Sequence, residues 1–122
     1  GKTMGDGWET RRRREPGNDW IIIKLATKGL IKKIEIDTAH FKGNYPDQAS
    51  VQVSNFDKNK GLEELINDSH NWKYILDKSK LQADNIHNYE VNDTSIKDVT
   101  HVRLNIYPDG GVSRLRIFGL KL

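Results

Sequence analysis

The clearest alternation of apolar and polar positions lies between Thr100 and Gly119. Val102, Leu104 and Ile106 fall on one side of an extended chain, and Arg103, Asn105 and Tyr107 on the other. Pro108-Asp109-Gly110-Gly111 then interrupts the run. Proline presets φ, aspartate bonds to its own backbone and glycine accepts positive φ. Alternation resumes with Leu115 and Ile117 on one side and Arg114, Arg116 and Phe118 on the other. The pattern predicts a β-hairpin whose polar face gathers Arg103, Asn105, Tyr107 and Arg114.

The rest of the chain reads in short extended pieces. Trp20 to Leu25 is a β-branched run that suits a strand buried on both faces. Lys28-Gly29 reads as a turn, and Ile31 to Thr38 as a second strand with Ile34 and Ile36 inward. Ala39 to Asp47 breaks the pattern with two turn signals, Gly43-Asn44 and Tyr45-Pro46-Asp47. Ser50 to Ser54 alternates around Val51 and Val53, and Trp72 to Leu76 and His87 to Val91 are two further short strands. In the polar stretch 55–71, Leu62, Leu65 and Ile66 predict one or two helical turns against the sheet. Residues 1–17 read as loop. About seven short strands with turn signals between them predict an all-β domain, an antiparallel β-sandwich with jelly-roll or Greek-key connections.

Composition narrows the class. One domain is the natural count for 122 residues. Apolar content of 35% against 30% charged residues implies much polar surface. There is no cysteine, which removes disulfides and thiolate metal sites. Trp20 to Ile23 is too short to span a bilayer, and no signal-peptide pattern is present. The expectation is a soluble cytoplasmic protein with no membrane partner. Gly1 is not an initiator, so the expected chain is processed, tagged or cut from something longer. Net charge is only +3.

Four groups of residues carry candidate chemistry, each with a plainer alternative. Asp37, Thr38, His40, Phe41, Lys42, Gly43 and Asn44 cluster at a strand end, where a rigid sandwich presents functional loops. Asp37 and His40 could form a base with its orienting partner or two ligands of a metal. The plainer reading is a turn capped by Asp and Asn with a solvated His. Arg103, Asn105, Tyr107 and Arg114 suit a carboxylate and amide or ureido groups; the alternative is a hydrated outer sheet face. Trp8 between Asp6 and Glu9 suits a ligand lid, or an aromatic anchoring its loop. Arg11 to Arg14 invite a nucleic-acid reading, but Glu9 and Glu15 flank them and no basic stripe with aromatics follows. No nucleic-acid partner is expected.

Three segments together resemble the allantoicase family. They are Asp6-Gly7-Trp8-Glu9-Thr10-Arg11-Arg12; then Asp19 to Leu25 running on to Ile34-Glu35-Ile36-Asp37-Thr38-Ala39-His40-Phe41-Lys42-Gly43-Asn44; and Thr100 to Gly119. HFKGN and YPDGG in one chain form a specific pair. The resemblance implies hydrolysis of allantoate to ureidoglycolate and urea, within purine catabolism. It also implies a jelly-roll fold similar to galactose-binding and discoidin-type sandwiches. Such a protein would carry two repeats and be about twice this length, this chain being one repeat; the apolar Trp20 to Leu25 strand and the missing second repeat point to self-association into a homo-oligomer. On the positions that match, the chemistry of allantoate suggests Arg103 or Arg114 as carboxylate clamp. Asn105, Tyr107, Asn44 and Lys42 would bind polar groups, with Trp8 as lid. Asp37, His40 or Glu9 would move the proton. A divalent metal remains an option. The rival reading is a discoidin-like module that binds a ligand without chemistry.

Overall fold

Among the described residues, eight strands and one helix follow one another as β1 (Lys2–Thr3), β2 (Thr10–Glu15), β3 (Asn18–Asp37), β4 (Gln48–Ser54), α1 (Leu62–Ser69), β5 (Lys73–Lys80), β6 (Ile86–Glu90), β7 (Val99–Tyr107) and β8 (Arg114–Lys121). The computed structural model describes residues 2–3, 10–15, 18–57, 59–93, 95–108 and 110–121, the first two stretches by backbone alone.

The sandwich turns on β3. Its first half, Asp19 to Lys24, lies between β2 and β7. Its second half lies between β6 and β8. The changeover falls at Gly29, which pairs with Val99 on one side and Lys121 on the other, amid register shifts. One layer is thus β2-β3-β7-β4-β5 and the other β6-β3-β8-β1, all pairs antiparallel. The expected turn at Lys28-Gly29 is instead a bend that carries one continuous strand between layers. The expected loop at residues 10–15 is a strand, β2, with Arg14 opposite Asp19 and Arg12 opposite Ile21. Its polar side chains gave no strand signal because β2 is an edge strand, where period-2 burial is not demanded.

The hairpin expectation is corrected in the same way. β7 pairs with β3 and β4, and β8 with β3 and β1; they do not pair with each other. The chain crosses from one layer to the other between Tyr107 and Arg114. The alternation itself is kept: Val102, Leu104, Ile106, Leu115 and Ile117 all enter the main core with Ile34, Ile36, Val51 and Val53. Each fully buried side chain of that size contributes about 1.5–3 kcal/mol.

A second core lies on the outer face of the first layer. There Trp20 and Ile22 meet Phe56 and Trp72, with Leu65 and Ile66 of α1 packed on top. Trp20 to Ile23 is therefore packed on both faces, with Ile23 and Leu25 in the main core and Lys24 exposed. Glu63 and Glu64 in the first turn of α1 favour its N-terminal dipole. Among the described residues, no helix is long and apolar enough to cross a membrane.

Candidate functional site

Because β3 leaves one end of the sandwich in one layer and returns in the other, both of its ends reach the same rim. Asp19 pairs with Ile106 near the end of β7, and Asp37 with Arg114 at the start of β8. The rim is closed by three segments: the turn 38–47, the loop 82–85 and the crossing 108–113.

The turn 38–47 is pinned from several sides. The Asp37 carboxylate accepts from the Ala39 amide at 2.7 Å. Buried Thr38 donates its hydroxyl to Gln82 O at 2.7 Å, and its amide to Asn85 O at 2.8 Å. His40 has φ of 71°, a left-handed conformation uncommon outside glycine. Its amide donates to the Asp84 carboxylate at 2.8 Å, while the Asp84 amide donates to Phe41 O at 3.0 Å. The imidazole is exposed.

The two glycines of the crossing have separate reasons. Gly110 has φ of 129°, and a Cβ there would lie 2.7 Å from the Pro46 nitrogen. At Gly111 a Cβ would overlap the Phe41 ring. Its amide donates to Asn44 O at 2.7 Å, and the Ser113 amide to Asp37 O at 2.8 Å. Close backbone approach thus locks the crossing to the HFKGN turn. Beneath them opens a slot of about 670 Å³ between the layers. Asp19, Asn44 and Arg114 supply polar groups to an otherwise largely apolar wall that includes Ile21, Leu104 and Leu115.

Arg103, Asn105 and Tyr107 sit elsewhere, on the outer face of the first layer. Arg103 and Asn105 are buried beneath α1, at 4% and 2% exposure. The Arg103 guanidinium lies 4.5 Å over the Trp20 ring. Its Nε donates to Asn105 Oδ1 at 2.8 Å and its Nη1 to Ser69 Oγ at 2.7 Å. Asn105 Nδ2 donates to Gln52 Oε1 and Ser50 Oγ. Ser50 reaches the half-buried Tyr107 hydroxyl at 3.0 Å. The expected grouping of Arg103 with Arg114 is therefore corrected: the two belong to different layers, because the crossing separates what a hairpin would have joined.

The structure brings Asp37 against Arg114, and Asn44 with Arg114 into one slot. His40 and Lys42 lie exposed on the same turn. Trp8 and Glu9, with Asp6, lie outside the described residues. No three His, Cys, Asp or Glu converge on a metal-sized site among the described residues. Ser50, Gln52, Ser69 and Asp84 were not singled out from the sequence. Ser50 and Gln52 carried a signal: two polar residues in strict alternation with Val51 and Val53.

The family profile of the allantoicase repeat matches residues 1–122. A "probable allantoicase 1" of Burkholderia mallei is 56% identical over 119 residues, which is 98% of this chain and 35% of that protein. This chain belongs to the allantoicase repeat family. Saccharomyces cerevisiae allantoicase, solved by crystallography, is 39% identical with a TM-score of 0.69, covering 98% of this chain and 33% of that one. An F5/8 type C domain from Bacteroides fragilis, 14% identical, has a TM-score of 0.61 over 96% of this chain and 78% of its own. That likeness shows a discoidin-type fold alone. The chain spans about a third of the length of the allantoicases it matches.

Proposed function

We propose that this chain is one repeat of an allantoicase that hydrolyses allantoate to ureidoglycolate and urea, with the reaction at the rim. The observation that carries the reading is the whole-chain match to a probable allantoicase at 56% identity. The geometry supplies suitable groups. Allantoate bears one carboxylate and two ureido groups on a single carbon. Hydrolysis breaks the bond from that carbon to one ureido nitrogen; water's oxygen ends on the carbon, and a proton goes to the leaving urea.

The exposed His40 imidazole is the candidate base, with Asp37 and Glu9 as the other carriers of the proton. Proton transfer by a positioned side chain typically contributes about 10²–10⁴-fold. Arg114 is the candidate clamp at the slot, where Asn44 can bind a ureido group. Lys42 adds positive charge on the same turn. Arg103 and Asn105, engaged under α1, hold Tyr107 in place. A second repeat completes the protein.

The test is steady-state urea release by the full-length protein. His40→Ala should lower kcat about 10²-fold or more. Arg114→Ala should raise the allantoate KM about tenfold or more, the scale of one charged hydrogen bond. Near-normal constants in both variants would remove the rim from the mechanism.

A further inference from the structure

Gln82 ties the loop 82–85 to its surroundings through both of its backbone groups. Its carbonyl accepts the buried Thr38 hydroxyl at 2.7 Å, and its amide donates to His87 Nε2 at 2.8 Å. The other ring nitrogen of His87, Nδ1, lies 3.0 Å from Ile36 O. A backbone amide only donates and a carbonyl only accepts. Nε2 is therefore bare and Nδ1 carries the hydrogen. The ring is neutral, because an imidazolium would set a second N–H against the Gln82 amide. Half-buried His87 thus clips the loop 82–85 to β3, one residue before Asp37.

The clip bears on one part of the rim. The loop 82–85 holds the start of the turn 38–47. Asn85 O accepts the Thr38 amide at 2.8 Å, and the Asp84 carboxylate accepts the His40 amide at 2.8 Å. Phe41 O in turn accepts the Asp84 amide at 3.0 Å. Asn44, later in the turn, is held from the crossing instead, its carbonyl accepting the Gly111 amide at 2.7 Å. Loss of the His87–Gln82 bond loosens the segment that carries His40 and leaves Asn44 seated.

We propose that His87, fixed as the neutral Nδ1–H tautomer, is a positioning residue that sets His40 through the loop 82–85. Its effect on turnover rests on the allantoate reading above. The tautomer does not.

Two measurements test this. In nitrogen NMR of the full-length protein with isotope-labelled histidine, the His87 signals are those lost in His87→Gln. They should show a protonated Nδ1 and a bare Nε2 at neutral pH; the reverse tautomer, or an imidazolium, overturns the inference. In urea-release kinetics, His87→Phe keeps a planar ring and loses both bonds. Its kcat should fall about tenfold, with the allantoate KM within about twofold of wild type. His87→Gln returns an acceptor to the Gln82 amide, and its kcat should stay within about threefold of wild type. An unchanged kcat in His87→Phe, an equal loss in His87→Gln, or a KM that rises as kcat falls, overturns the positioning role. A wild-type protein that releases no urea overturns the allantoate reading and the positioning role together, while the NMR spectrum still decides the tautomer.

Discussion

His40 occupies backbone space that side chains with a Cβ enter at a cost. Its φ of 71° is held by the Asp84 carboxylate on its amide and by the flanking bonds of Thr38 and Phe41. Strain of this kind is compatible with a residue kept for its side chain rather than for the turn. The comparison of His40→Gly with His40→Val separates those demands. Glycine meets the conformation freely, whereas a β-branched residue does not. Denaturant midpoints should place the valine variant about 1–3 kcal/mol below the glycine variant. Equal stabilities would mean that the turn relaxes and carries no strain. Of the plainer sequence reading, a turn capped by Asp and Asn with a solvated His, the Asp37 cap and the exposed His are seen, while Asn44 bonds through its backbone carbonyl. That reading misses Asp84, which is 44 residues away and carries no sequence signal for the contact.

Among elements, the crossing 108–113 decides which side chains can meet. Pro-Asp-Gly-Gly was legible as a break, and the strands on either side were legible from period-2 alternation. The partner of each strand was not, because a hairpin and a crossing between layers use the same local residues. What distinguishes them is the contact with the HFKGN turn. Gly111→Ala places a methyl group in the Phe41 ring, and should cost about 1–3 kcal/mol by thermal or denaturant unfolding; a neutral effect would mean that the crossing is not seated there. α1 was legible from Leu62, Leu65 and Ile66, but its polar anchor was not. Ser69 accepts from Arg103 and donates to Ile66 O. Ser69→Ala should therefore cost about 1.5–3 kcal/mol, the scale of a hydrogen bond to a charged group. Stability within experimental error of wild type would show that the Arg103 bond contributes nothing. On the far side, Asp93 ties its loop to β5 through Lys73, at 2.9 Å. That bond, with two from Ser95, lowers the carboxyl from an ordinary 3.8 to about 2. The folded value is depressed, so its stabilising contribution is present above the ordinary value and lost as pH falls towards 2. An NMR titration of the Asp93 carboxyl should give a midpoint of about 2; a midpoint near 3.8 would mean that the tie is absent in solution.

At the scale of the molecule, one long strand folded over the far end of a sandwich brings sequence-distant segments to a single rim. Asp37 and Arg114 pair there, and Asn44 and Arg114 line one slot, although all three are separated along the chain. The sequence carried the residue types and the family, because motifs are local. It did not carry the division of the arginines between layers, which depends on how β3 bends at Gly29. Urea release from allantoate, with and without added divalent metal, decides whether the full-length protein carrying this repeat acts on allantoate. Turnover is expected, falling sharply in His40→Ala. Absence of urea under every metal condition would contradict it, and leave the rim as a place where a ligand is bound without chemistry.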